Sequence, residues 1–186
     1  MKMRRMILMA LMAVVTVLQM QAQKPFELSA IIKQDGMDAK AIYEATRNWF
    51  VESFKDSKAV IRDENPGKQI TGKGVMPFTA NMMYASINGY IEFLIDAQFR
   101  DGRMKLTMRN FDHRADHRAL FDNNMGILVD SLPKNLGDIG VKGSRKAPYK
   151  YYYKHAKPEC EESFGKIVKS LTEFLANRKA QEKEEW

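Results

Sequence analysis

Cysteine is almost absent from this chain, which has a single one, Cys160, in 186 residues. An intrachain disulfide is therefore excluded, and packing has to stabilise the fold. Apolar residues follow Cys160 at helical spacing: Phe164, Ile167, Val168, Leu171 and Leu175. This spacing predicts that the thiol is buried on the apolar face of a helix.

Long apolar runs are also missing, except near the N-terminus. Residues 2–5 carry three cations, residues 6–18 are apolar, and a small, polar stretch leads to Ala22. The apolar run is shorter than the roughly 20 residues of a membrane-spanning helix, and this order of regions is that of a secretory signal. We therefore predict a signal peptide at residues 1–22 and an exported product, periplasmic or secreted, without a transmembrane segment. A lipoprotein is not expected, because no cysteine lies near the cleavage point.

The rest of the chain has the length of one domain. Residues 23–180 are predicted to form a single domain around one hydrophobic core, and residues 181–186 a charged tail. Because the signal contains three cations and no acid, its removal lowers the formal net charge from +7 to about +4. Part of the basic character of the chain thus belongs to targeting.

The domain is predicted to begin with a strand and a helix. Alternation over Phe26–Ile32 is typical of a strand. Asp38 is placed to cap a helix whose apolar face includes Ile42, Trp49 and Phe50.

A first hairpin is predicted to follow this helix. Turn formers at 63–67 separate a short strand, Lys58–Arg62, from a longer one, Lys68–Phe78. Gly72 and Gly74 fall on the inward face of the longer strand, which predicts a close crossing or a bulge. Residues 81–89 are predicted to be a loop.

A second hairpin gives the clearest pattern in the chain. Its inward residues alternate through both strands: Ile91, Phe93, Ile95, Ala97, Phe99, Met104, Leu106 and Met108. Asp101-Gly102 supplies the two-residue turn between them. The opposite side is predicted to be an open sheet face carrying Glu92, Asp96, Gln98, Arg100, Arg103, Lys105, Thr107 and Arg109.

The last third of the domain is predicted to be irregular and then helical. Residues 113–157 read as irregular, with a short helix near Ala115–Phe121, and a closing helix has Pro158 in its first turn. The element order β-α-β-β-β-β-α predicts an α+β fold, an antiparallel sheet with two main helices packed on one face.

Several of these segments together resemble a known family. The residues concerned are Ile42-Tyr43, Trp49-Phe50, Ile70-Thr71-Gly72-Lys73-Gly74 and 90–111 with the turn Asp101-Gly102-Arg103. They are similar to a family of exported Bacteroidota proteins, a domain of unknown function with a fold like that of the TATA-binding protein. The resemblance covers roughly Ala39 to Asp112 and implies a fold; it carries no catalytic residue.

Catalytic signatures are otherwise lacking. The sequence contains no nucleotide-binding fingerprint, no Ser/His/Asp or Cys/His nucleophile arrangement and no isolated carboxylate pair. No cofactor is predicted. The one metal-like cluster comprises His113, Asp116 and His117, whose histidines would share a helix face. The competing interpretation is a solvated polar turn after a strand.

A second candidate site interleaves cations with aromatic rings. It consists of Lys146, Tyr149, Lys150, Tyr152 and Lys154, residue types that suit an anionic polymer or sugar rings. In the competing interpretation, this segment is an edge strand or connector whose tyrosines cover the core.

The sequence thus favours an exported, non-enzymatic binding module. It would bind an unknown protein or an anionic envelope glycan through the open sheet face or the Lys/Tyr segment. A nucleic-acid partner is not expected. An exported protein does not reach nuclear or cytoplasmic DNA, and no apolar side chains that could intercalate between base pairs are evident. The alternative is a small metal-dependent hydrolase that uses His113, Asp116 and His117.

Overall fold

The computed structural model describes residues 24–54, 60–82, 85–115, 124–143 and 146–184. The predicted signal peptide therefore lies outside the described part of the chain, as does nearly all of the predicted short helix near Ala115–Phe121. Residues 181–184 of the predicted charged tail are described and belong to the C-terminal helix.

Six strands and two long helices make up the described fold. In chain order these are β1 (Glu27–Lys33), α1 (Ala39–Ser53), β2 (Ile61–Asn65), β3 (Gln69–Met82), β4 (Ala85–Arg100), β5 (Arg103–Ala115), β6 (Gly126–Ile127), a short 3₁₀ helix (Leu136–Ile139) and α2 (Lys146–Glu184). The sheet is antiparallel with strand order β1-β5-β4-β3-β2, and β6 pairs with β5. The predicted α+β fold with two helices on one face of an antiparallel sheet is confirmed.

Helix α1 forms as the sequence predicts. The carboxylate of Asp38 accepts a hydrogen bond from the Ala41 N–H at 2.7 Å, which satisfies one of the free donors of the first turn. Ile42, Trp49 and Phe50 are buried against the sheet. The indole N–H of Trp49 donates to Ser170 Oγ at 3.1 Å, so α1 and α2 are joined on the same side of the sheet.

The two inward glycines of β3 allow a close crossing, as predicted. A Cβ at Gly72 would lie 2.9 Å from the Phe50 ring of α1, and one at Gly74 would lie 2.2 Å from the Phe93 ring of β4. Real Cβ atoms do not approach this closely, so any side chain at Gly74 would displace the Phe93 ring. Glycine is therefore required here by packing.

Strands β3 and β4 are longer than the alternation suggested and pair with each other along almost their whole length. β3 continues to Met82 and β4 begins at Ala85, so most of the predicted loop at 81–89 belongs to these strands. A small residue is needed at Gly89 because a Cβ there would lie 2.3 Å from the Arg114 carbonyl oxygen. The glycine that suggested a loop is explained by this close backbone approach.

A β-bulge interrupts β5 at Asn110. Asn110 has a left-handed backbone, with φ of 56°, and the register of β4 and β5 shifts between Glu92 and Leu94. A bulge of this kind adds one residue to a strand and reverses the facing of the residues after it. Phe111 is consequently buried.

Helix α2 begins twelve residues before the predicted start. The prediction of an irregular segment up to residue 157 and of Pro158 in the first turn is wrong, because Pro158 lies inside a helix of 39 residues. Tyr149, Tyr152, Tyr153 and Ala156 are buried at helical spacing before Cys160. Their burial offsets the hydrogen bond that proline cannot donate. None of the described helices is apolar enough over a sufficient length to cross a membrane.

The thiol of Cys160 is fully buried within this helix, as predicted. Burial raises its pKa to about 12, because the thiolate would lose its hydration. The cysteine is therefore an inert core residue.

We expect Gly74→Ala to lower the free energy of unfolding by about 1–3 kcal/mol, since the methyl group overpacks the Phe93 ring. Chemical denaturation measures this. In Gly165→Ala, the matched control in α2, the methyl group meets nothing within 4 Å, and a gain of about 0.5–1 kcal/mol is expected. Adding Phe93→Leu to Gly74→Ala should recover part of the loss; a neutral Gly74→Ala contradicts the close crossing.

Candidate binding surface

The structure places His113 in the hydrophobic core. Because the bulge at Asn110 reverses the facing of β5, the His113 side chain points inward and is fully buried. Its Nδ1 accepts the Met125 N–H at 3.2 Å, and its ring packs edge-on against Phe78 with centroids 5.3 Å apart. Burial lowers its pKa to about 4, although the neighbouring Asp112 acts in the opposite direction.

The predicted metal site loses its first ligand by this placement. His113 lies in a strand whose core side is occupied, so it cannot share a helix face with His117. Asp116 and His117 lie outside the described residues. Within the described ranges, no group of three or more His, Cys, Asp or Glu side chains is placed to hold a metal ion. The helical metal-site hypothesis is therefore corrected.

The Lys/Tyr segment is neither an edge strand nor a connector, since it forms the first turns of α2. Lys146, Lys150 and Lys154 are exposed and lie four residues apart, on one side of the helix. Tyr149 and Tyr152 are buried, and the Tyr149 hydroxyl donates to the Met125 carbonyl at 3.1 Å. The two rings therefore cover the core and are not available to stack on a ligand. The site retains its cations and loses its aromatic part.

The open sheet face has a polar network at its centre. Asp96 is buried although it points away from the helices, and its carboxylate accepts from Arg109 Nε at 2.5 Å and from Thr71 Oγ1 at 2.7 Å. The hydrogen bond that Arg109 donates to Asp96 raises the pKa of Arg109. These hydrogen bonds satisfy the buried carboxylate and fix the side chains of three strands.

Away from the hairpin turn, the charges of this face are also paired. Lys73 Nζ lies 2.8 Å from Glu92 Oε1, and Arg114 Nη2 lies 2.5 Å from Asp112 Oδ2. Each cation has a carboxylate beside it, so this half of the face has little net charge. A polyanion would meet acids here as well as cations.

The end of the face nearest the β4–β5 turn is different, because its cations are unpaired. Strand register brings Lys33 of β1 beside Arg103 of β5, and Arg103 beside Arg100 of β4. Lys105 follows two residues along β5 on the same face. All four are exposed, and none of them forms an ion pair with another described residue. We call these four residues the basic cluster.

No described acid forms an ion pair with the basic cluster. The Asp101 carboxylate, in the turn itself, accepts a hydrogen bond from the Ala39 N–H at 2.9 Å at the start of α1. A concavity of about 260 Å³ lies among the cations, with Ile31 and Met104 in its lining. Ile31 is 58% exposed, so the surface combines unpaired positive charge with an apolar contact.

Sequence reasoning placed Arg100, Arg103 and Lys105 on the open face correctly but missed Lys33 and Ile31. The alternation of β1 does show that these two residues face away from the core. The missing information was the strand order, since β1 pairs with the distant β5. Local patterns do not specify such long-range pairing.

Acid should destabilise the protein through His113. Its folded pKa of about 4 is below the ordinary value of 6.5, so between these pH values the unfolded chain binds a proton that the folded chain does not. The contribution of His113 to the free energy of unfolding is therefore highest above pH 6.5 and falls by about 3 kcal/mol as the pH is lowered toward 4. We expect the stability difference between wild type and His113→Asn to narrow over this window.

Denaturation series at several pH values measure this narrowing. His155→Asn is the control, since it makes the same replacement at an exposed position of α2. A constant difference between wild type and His113→Asn from pH 7 to 4 would contradict the buried, neutral imidazole.

Comparisons with known proteins support the fold. Residues 29–114 match the family model described as a domain of unknown function (DUF4468) with TBP-like fold. No curated protein matches the chain. A DUF4468 family protein from Bacteroides ovatus ATCC 8483 has a crystal structure with a TM-score of 0.51 and 14% identity, covering 79% of this chain and 86% of that one.

A TBP-like protein from Parabacteroides distasonis ATCC 8503 is also similar, with a TM-score of 0.49 and 13% identity, covering 79% of this chain and 92% of that one. At these identities the likeness concerns the fold alone. In sequence over residues 29–114 and in fold, this protein resembles the DUF4468 family of unknown function with a TBP-like fold, as its sequence predicted.

Proposed function

We propose that this protein is a non-enzymatic binding module that binds an acidic partner through the basic cluster of its open sheet face. The observation that carries the proposal is the set of four exposed cations, Lys33, Arg100, Arg103 and Lys105, without acidic partners in the described chain. Unpaired cations held close together on a rigid sheet repel one another, and an anion relieves that repulsion.

The size of the concavity favours a partner that contributes a small group. Its volume of about 260 Å³ is just below that of pockets for small molecules, which are typically about 300–1,000 Å³. One side chain or one sugar unit of a larger partner fits such a space. The rest of the partner would lie across the sheet surface.

A nucleic acid is disfavoured by the charge distribution along the face. Phosphates occur at regular short intervals, so a nucleic-acid surface needs cations along its whole length. Beyond the basic cluster, Asp96, Glu92 and Asp112 alternate with the cations of the sheet. This pattern suits a partner whose negative charge is local.

The cellular setting of the proposal comes from the N-terminal sequence. We infer that residues 1–22 direct export, so the acidic partner would be a protein or an anionic glycan of the cell envelope. The hydrolase alternative has no support, because His113 is enclosed in the core.

Reversing two charges of the basic cluster should weaken binding to polyanions. We expect Arg103→Glu/Lys105→Glu to reduce affinity for soluble dextran sulfate and for poly-glutamate roughly tenfold at moderate salt, and to lower the salt concentration needed for elution from the immobilised polymers. Both residues are exposed, so thermal unfolding should change little.

The matched control is Lys150→Glu/Lys154→Glu, which changes the net charge equally but on α2. A smaller effect of this control is expected. Equal losses of affinity in the two variants would mean that retention follows net charge alone. A larger loss of affinity in the control would indicate that the binding site lies on α2.

A further inference from the structure

Strand β1 forms one edge of the sheet. It pairs with β5 on one side, and no described strand pairs with its other side. Edge strands present unpaired N–H and C=O groups that can template another strand. The inner side chains of β1 are partly covered by α2, and its outward side chains Glu27, Ser29, Ile31 and Lys33 are exposed.

The hydrogen-bond pattern shows which backbone groups are free. The N–H groups of Phe26 and Gln34 donate inward, to Leu128 at 3.0 Å and Gly102 at 2.8 Å. Because alternate residues of a strand direct their N–H and C=O groups to opposite sides, Leu28, Ala30 and Ile32 bond to β5. The backbone groups of Ser29 and Ile31 therefore point to the free edge.

The free edge lies beside the basic cluster. Ile31 pairs with Lys105 and Lys33 pairs with Arg103, so cations flank the last residues of the edge on the open face. Ile31 is 58% exposed at the same place. Strand pairing, charge and an apolar contact are thus available to one ligand at one position.

We propose that the acidic partner is an extended polypeptide segment that adds to the free edge of β1 as a further strand. This inference rests on the proposed function. Side chains of an added strand alternate between the two faces, so acidic residues at every second position would all face the basic cluster. The backbone bonds supply affinity, and the carboxylates select the segment.

The opposite edge of the sheet is less suited to such a segment. β2 pairs only with the first residues of β3, its exposed Asp63 follows the exposed Arg62, and its Glu64 lies 3.0 Å from Arg47 Nε. Farther along β3, Pro77 has no N–H to donate to an added strand. An acidic strand would meet no cluster of unpaired cations at β2 and would lack a hydrogen bond at β3.

The test uses a capped heptapeptide of alternating Glu and Val with wild-type protein. Two further peptides are N-methylated, one on the Glu nitrogens and one on the Val nitrogens, which keeps the charge. In an added strand only one of these sets faces β1. We expect one methylated peptide to bind like the parent and the other to bind at least tenfold more weakly in calorimetric titration.

Protein variants separate this inference from the proposed function. Ser29→Pro removes a free-edge N–H without removing a sheet hydrogen bond or a charge, with Ser29→Ala as its control. We expect Ser29→Pro to bind the peptide at least tenfold more weakly than wild type and to bind dextran sulfate with unchanged affinity. Arg103→Glu/Lys105→Glu should lose both ligands.

Equal binding of the two methylated peptides, whether both bind or neither does, overturns strand addition, and this outcome needs no folded variant. If the parent peptide does not bind while dextran sulfate does, the inference also fails and a glycan partner remains. If the cluster variant retains both ligands, the proposed function itself is wrong.

Discussion

Successive side chains of β4 and β5 point to opposite faces of one sheet, and the two faces of this protein depend on that alternation. One set of residues closes the core beneath α1 and α2, and the other set is left without a described element above it. The bulge at Asn110 exchanges the inward-facing and outward-facing positions halfway along β5. A histidine that strict alternation would place outside, His113, therefore becomes a core residue with a pKa of about 4.

The charges of the open face follow from the same geometry. At the centre, Asp96 is buried between Arg109 and Thr71, where removing one partner would leave an uncompensated group. Such a network holds the surface in one arrangement. At the turn end, the cations are exposed and have no comparable partners. Structural stability accounts for the paired charges around Asp96 and gives no reason for the exposed cations at the turn. These cations are therefore the candidate binding site.

Local signals predicted much of the fold. The cap at Asp38, the turn at Asp101-Gly102 and the inward glycines of β3 all act within a few residues or through a simple period. The start of α2 was missed because Pro158 is a strong helix-start signal, while the tyrosine spacing before it was masked by intervening lysines. The bulge at Asn110 also has no reliable local signal, since asparagine adopts a left-handed backbone in many settings.

Local signals predict only part of the candidate site. Arg100, Arg103 and Lys105 belong to one hairpin, so their common face follows from the sequence. Lys33 joins them because β1, about seventy residues earlier, pairs with β5. That pairing is decided by the core, where Ile32 and Met104 are both buried. Burial of apolar residues on one side thus fixes which charges meet on the other. The pairing that completes the basic cluster also leaves β1 as an edge beside it, so the cluster and the free strand have a common structural origin.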